Sequence, residues 1–170
     1  GDEPVLKELA HLPNEAEPAP IGKPGEQLYA ARFIGDRAYL VTFKKVDPLY
    51  VLDLSEPTQP RIGGELELPG FSSYLHPVSD SLLMGIGKDA IPDERGDFAW
   101  YQGLKLTLFD VADISAPREI TGLGIGGRGT ESTVLYDYHA LSYLPGQDGA
   151  ADRFAIPVSL RDGQPPSDQS

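Results

Sequence analysis

Any imidazole chemistry in this chain rests on His11, His76 and His139, for there are three histidines and no cysteine among its 170 residues. His76 and His139 have similar surroundings, Tyr74-Leu-His76-Pro and Asp137-Tyr-His139-Ala, and Arg32 lies in the apolar run Leu28-Tyr-Ala-Ala-Arg-Phe. With Tyr74, Asp137 and Tyr138 they offer a cation, hydrogen-bond donors and acceptors, and aromatic faces, the means of holding a small polar ligand. A Ser-His-Asp set can be drawn from Ser72 or Ser73, His76 and Asp137, but no G-x-S-x-G elbow accompanies the serines. A histidine metal site would need more ligands than these, since His11 belongs to the N-terminal segment and no carboxylate stands at a fixed spacing.

Four other motifs carry weaker chemistry. The segment 88–102 holds Asp89, Asp93, Glu94 and Asp97, oxygen donors suited to calcium but lacking the Asp-x-Asp-x-Asp-Gly order, so a solvated acidic loop is the plainer reading. No cofactor is expected beyond that calcium. Arg95-Gly-Asp97, an adhesion tripeptide elsewhere, lies in the same segment, and three common residues recur by chance. Phe98, Trp100 and Tyr101 could form an exposed contact patch, although packing of the insertion against its own blade is the preferred reading. Gly124-Ile-Gly-Gly-Arg-Gly129 matches G-x-G-x-x-G, yet the strand-like Thr130-Glu-Ser-Thr-Val-Leu follows where a dinucleotide site needs a helix N-terminus. A turn is expected there.

Composition narrows the partners. A formal charge of −12, from 26 acidic and 14 basic residues, repels a phosphate backbone and disfavours anionic membranes, so no nucleic-acid partner is expected. No run approaches the length of a membrane span. The start, Gly1-Asp-Glu-Pro, reads as a processing boundary. Gly 19 and Pro 16 with 40 % apolar residues describe a folded chain rich in turns, with little room for long amphipathic helices.

The elements that must position these residues are written in a repeat. Leu49-Tyr-Val-Leu-Asp-Leu-Ser-Glu-Pro-Thr-Gln-Pro-Arg61 matches Leu106-Thr-Leu-Phe-Asp-Val-Ala-Asp-Ile-Ser-Ala-Pro-Arg118 without a gap, mapping Asp53 onto Asp110 and Pro60 onto Pro117. Stacked supersecondary units give such self-similarity. Strands are predicted at 28–34, 37–43, 49–54 and 61–68, then at 71–76, 81–87, 104–111 and 118–125. Gly35-Asp36 serves as a tight hairpin turn between the first two. Near-continuous apolar runs such as Tyr39-Leu-Val and Leu82-Leu-Met suit strands covered on both faces. The fold class is therefore all-β: four-stranded antiparallel β-propeller blades, about two complete, with partial blades on either side. The organisation reads as 1–12, the last strand of a preceding blade; 13–27, a Pro-rich linker; 28–70, a blade; 71–127, a blade with insertion 88–102; 128–160, a partial blade with strands at 133–141 and 153–160; and 161–170, a disordered tail. Asp53 and Asp110 are turn-formers in this scheme, bonding backbone N–H groups two residues on.

The runs Leu28-Tyr-Ala-Ala-Arg-Phe-Ile-Gly-Asp-Arg-Ala-Tyr-Leu-Val-Thr-Phe, Val46-Asp-Pro-Leu-Tyr-Val-Leu-Asp-Leu-Ser, Pro69-Gly-Phe-Ser-Ser-Tyr-Leu-His-Pro, Gly103-Leu-Lys-Leu-Thr-Leu-Phe-Asp-Val and Ile125-Gly-Gly-Arg-Gly-Thr resemble the secreted β-propeller domain family of bacteria and archaea. The blade signature also resembles repeats named for a Leu-Val-Ile-Val-Asp motif. The resemblance implies a propeller fold and an extracytoplasmic location, and it implies no activity. Members of the family are longer than this chain.

In a propeller the first strand of each blade lines the central channel. Arg32, His76 and His139 then converge there with Tyr74, Asp137 and Tyr138, as a candidate ligand site. In the plainer alternative, preferred at this level, each histidine caps its own inter-blade loop through a buried hydrogen bond. The expected function is an extracytoplasmic binding or scaffolding module that uses its blade-end loops or the 88–102 insertion. The other candidate is a small-ligand-binding or hydrolytic propeller with the channel site. Fewer than four blades leave faces and strand edges open, so copies are expected to associate, or the chain to be part of a longer protein.

Overall fold

A computed structural model describes residues 5–43, 47–68, 70–92 and 99–162. The first blade is β1 (Gln27–Ile34), β2 (Arg37–Phe43), β3 (Asp47–Asp53) and β4 (Arg61–Leu68), antiparallel and hydrogen-bonded in that order. The second repeats it as β5 (Phe71–Pro77), β6 (Leu82–Pro92), β7 (Ala99–Asp110) and β8 (Arg118–Ile125). A third sheet holds only β9 (Ser142–Leu144) paired with β10 (Arg153–Ala155). These are propeller blades, not closed into a ring. First strands meet first strands across the blades, β1 lying beside β5.

The repeat extends to irregularities. β1 bulges between Leu28 and Ala30, and β5 between Ser72 and Tyr74. The third and fourth strands slip register at matching places, after Val51 and after Leu108. Gly35, at φ +58°, closes the β1–β2 hairpin in the left-handed region that glycine enters freely.

The aspartate turns are the clearest copies. The Asp53 carboxylate accepts from the Ser55 backbone N–H at 3.0 Å and from Arg61 Nη2 at 3.0 Å. That of Asp110 accepts from the Ala112 N–H at 3.1 Å and from Arg118 Nη2 at 2.6 Å. Bonds from Ser55 and from the Ala112 N–H, chief among these contacts, hold the two carboxyls below the usual aspartate value. Both residues build the blade.

One core lies between the blades: Ala30, Tyr39, Val41, Leu49 and Val51 of the first face Leu75, Leu83, Phe109 and Val111 of the second. Arg37 adds a link by donating from Nη1 to the Val111 carbonyl at 2.7 Å. On the outer side, the 113–117 turn closes on β4 so tightly that a Cβ at Gly64 would stand 2.3 Å from the Ile114 carbonyl oxygen. Glycine is required there by approach, not by φ.

The flanking segments depart from expectation. The segment 5–12 carries no strand among its described residues. The linker is not free either: Asn14 Nδ2 donates to the Pro60 carbonyl at 3.3 Å, and Glu26 accepts from Thr42 Oγ1 at 2.7 Å. It lies over part of the first blade's outer face, beside buried Thr42 and Tyr50. Within 133–141, expected as a strand, two short 3-10 turns form instead at Thr133–Leu135 and Tyr138–Ala140. Ser132 and Asp137 cap them by accepting the N–H two residues on, the local bonding that competes with strand formation. Strand formation within 153–160 is confined to Arg153–Ala155, with a lone bridge at Ser159. This segment covers the far face of the second blade, where Met84, Ile86 and Val134 form a second core with Phe154 and Ile156 packed on it. The tail from 163 onward lies outside the described residues.

The insertion is also not a loop at its base. β6 and β7 run on as a longer hairpin, pairing Ala90 with Tyr101 and Ile91 with Trp100, past a bulge between Lys88 and Ala90. Lys88 turns inward, is buried, and donates to the Thr130 carbonyl and, at 2.7 Å, to the Glu131 carboxylate.

Candidate functional site

Arg32 and His76 occupy one structural position in two blades. Each stands two residues beyond its strand's bulge and pairs with the second strand, Arg32 with Tyr39 and His76 with Met84. Because β1 and β5 are neighbours, the two side chains come to the same region. His76 Nδ1 is hydrogen-bonded to the Tyr74 hydroxyl at 3.1 Å. Tyr143 and Phe154, from β9 and β10, present their rings nearly perpendicular to the imidazole, with centroids 4.7 and 5.9 Å away. They also stack on each other at 4.7 Å.

Beyond Tyr74 the aromatic wall continues. Tyr138 lies nearly parallel to Tyr74 at 6.1 Å, and His139 stacks on Tyr138 at 4.1 Å. Asp137 Oδ1 accepts from the His139 backbone N–H and meets its Nδ1, both at 3.0 Å. The five sequence-picked residues Arg32, Tyr74, His76, Asp137 and His139 thus belong to one continuous arrangement. Its members differ in setting. Tyr74 and His76 are half-buried, whereas Asp137 and His139 are exposed on a 3-10 turn rather than on a first strand.

The electrostatics follow from that burial. Desolvation first, and the Arg32 charge second, lower the His76 pKa from the ordinary 6.5. Burial raises the Tyr74 phenol above its usual value, and Arg32 opposes that rise. Asp137 is held below the usual aspartate range, chiefly by the His139 N–H. Among the described residues, two buried side-chain nitrogens, Arg32 Nε and His76 Nε2, have no hydrogen-bond partner. In a folded interior such groups are exceptional.

Loop capping by buried histidine bonds is not what the structure contains. The His139 bond is exposed, and the partner of His76 is the tyrosine two residues back on its own strand. The Ser-His-Asp set is likewise unassembled, because Asp137 serves His139 while His76 Nδ1 serves Tyr74. Sequence reasoning missed Tyr143 and Phe154. The only signal was their aromatic character, since β9 lies beyond the strand expected at 133–141 and β10 fills only the start of the one expected at 153–160.

The remaining motifs resolve structurally. Gly126 and Gly129 adopt φ of +65° and +90° in the turn after β8, and the Thr133–Leu135 turn that follows is too short for a dinucleotide cradle. Asp89 is half-buried on β6, while Asp93, Glu94, Asp97, Phe98 and the Arg-Gly-Asp tripeptide lie outside the described residues. Among the described residues, no group of three or more His, Asp or Glu could hold a metal ion. Tyr101 packs on Phe71 of its own blade at 5.2 Å and also on Phe43 of the first blade at 5.8 Å, and Arg128 sits 5.0 Å over the Trp100 ring. Among the described residues no helix is long and apolar enough to cross a membrane, which says nothing of strands.

Comparison with known proteins adds the following. The family model described as "Beta propeller domain" matches residues 3–169. The uncharacterized protein MJ1554 of Methanocaldococcus jannaschii is 43 % identical over 116 residues, covering 68 % of this chain and 17 % of that protein. An uncharacterized protein of Archaeoglobus fulgidus is 39 % identical over 131 residues, covering 73 % of this chain and 19 % of its own length. The chain thus spans less than a fifth of these curated relatives. No solved structure matches it significantly.

Proposed function

Because this chain belongs to the β-propeller domain family, we propose that it is an extracytoplasmic binding module whose ligand seats against the first strands, around Arg32, Tyr74, His76 and Tyr138. One observation carries the choice of site: Arg32 Nε and His76 Nε2 are buried without partners beside an aromatic wall. A site of few convergent polar groups among apolar rings is the usual make-up of a small-ligand pocket. Among the described residues the bonding partner of His76 is a tyrosine and not a serine, which supports recognition over turnover. The location outside the cytoplasm draws support from the family resemblance, and fractionation of producing cells tests it. Thermal-shift screening of the full chain against sugars, short peptides and metal salts tests the site. A ligand-induced rise in Tm that His76→Ala abolishes is the expected result. A His76→Ala protein that loses stability yet keeps every ligand response would overturn the assignment.

A second contact draws support from Phe33, 69 % exposed on the face of β1 directed away from the second blade. We assign that face to self-association, which removes such a surface from water. Sedimentation is expected to show concentration-dependent assembly that Phe33→Glu suppresses. A monomer at all concentrations would refute it.

A further inference from the structure

We propose that Arg32 and His76 together bind the carboxylate group of a small ligand, a refinement that rests on the first-strand site described above. Both side chains have hydrogen-bonding capacity left over. Tyr74 occupies Nδ1 of His76 at 3.1 Å. In a neutral imidazole one ring nitrogen donates and the other accepts. In the tautomer that carries its proton on Nε2, the phenolic O–H donates to Nδ1 and the Nε2–H has no partner among the described residues. Arg32 Nε is a donor by constitution and is equally unpartnered. The site therefore presents two N–H groups and lacks an acceptor.

The protein's own nearby carboxylates do not fill the gap. Asp137 is engaged with the backbone N–H and ring of His139. Asp152 accepts from the Tyr143 hydroxyl at 3.1 Å and from the Gly146 N–H at 2.6 Å. Among the described residues no acceptor reaches either nitrogen, which leaves the place to a ligand. Charge chooses its class. A carboxylate brings one negative charge to one guanidinium and offers two oxygens to two donors, the pairing in which arginine excels. A phosphate dianion would bring twice the charge to a chain already at −12. Tyr143 and Phe154 contribute as positioning residues, fixing the plane of the imidazole by their perpendicular rings.

The test uses the full ¹⁵N-labelled chain, titrated separately with benzoate, with its neutral isostere benzamide, and with inorganic phosphate. Arg32 Nε–H and the His76 ring nitrogens are followed by NMR. Benzoate is expected to shift both sets of signals in a saturable way, with benzamide and phosphate inert, and Arg32→Lys is expected to weaken binding at least about tenfold. If benzamide binds as well as benzoate, the carboxylate inference fails while the site stands. If phosphate alone binds, or if no probe moves either residue, the inference fails outright. Should Arg32→Lys not fold, the contrast between benzoate and benzamide on the unsubstituted chain decides.

Discussion

The first strands of the two blades are paired in the same way and bulge at the same place, yet their environments differ. On β5, Leu75 is 2 % exposed, packed into the core that the first blade helps to build. The residue at the same distance past the bulge on β1 is Ala31, which is exposed, and two residues on Phe33 is 69 % exposed. Pairing and bulge alone do not separate the two strands. What differs is the neighbour: β5 has a whole blade in front of it, whereas the segment before β1 contacts the second and third strands of its blade through Thr42 and Tyr50. Burial in a repeat array is a property of position in the array, set by nearest-neighbour faces.

Two paired substitutions put that comparison at risk, the larger first. Leu75→Ala is expected to cost about 2–5 kcal/mol, because it opens a cavity in a packed interface. Phe33→Ala, measured at concentrations where the chain is monomeric, is expected to stay within about 0.5 kcal/mol. Urea denaturation of both variants checks this, and equal losses would break the contrast. The outer strands offer the next pair. Gly64→Ala places a methyl 2.3 Å from a backbone oxygen of the next blade and is expected to cost about 1–3 kcal/mol. At Gly124 on β8 a Cβ meets nothing within 4 Å, so Gly124→Ala is expected to be neutral or slightly stabilising. A destabilised Gly124→Ala protein would mean that β8 has a partner the comparison omits.

The same contrast explains which features were legible in the sequence. The strands 37–43, 61–68 and 118–125 coincide with the observed elements because apolar runs and turn residues act locally. The Asp53 and Asp110 turns were legible for the same reason, each being closed by bonds spanning two to eight residues. Of the site, Arg32, Tyr74 and His76 could be placed because the repeat puts them on first strands. The 3-10 turns around His139 could not, since alternation in Thr133-Val-Leu-Tyr says nothing of the Ser132 and Asp137 side chains capping them. Tyr143 escaped because its three-residue strand carries too little periodicity to register, and Phe154, though on an expected strand, because nothing in the sequence brings that strand to His76. The inward course of Lys88 depends on a carbonyl and a carboxylate more than forty residues away in sequence.

Smaller effects probe the copied turns and the coupled pair. Asp53 and Asp110 both have folded pKa values below the ordinary 3.8. Their contributions are therefore fully present above that value and are lost as pH falls through the lowered folded values. Asp53→Asn and Asp110→Asn should each flatten the acid limb of stability against pH, and by similar amounts, since the turns are copies. Unequal slopes would show that array position reaches even these half-buried carboxylates.

His76 carries the smallest and most specific prediction, because it tests whether equivalent positions in adjacent blades sense one another. Its folded pKa lies below 6.5, with burial the first cause and the Arg32 charge the second. The unfolded ring therefore binds a proton first as pH falls through about 6.5, and stability declines until pH drops beneath the folded value, where it levels off. His76→Gln should remove that slope. Arg32→Gln should reduce it without removing it, because desolvation remains when the guanidinium is gone. NMR titration of the imidazole gives the same result residue by residue: the His76 midpoint should rise in Arg32→Gln towards, but not to, the ordinary value. A midpoint unmoved by the loss of Arg32 would leave burial as the sole cause and the two first strands electrostatically independent.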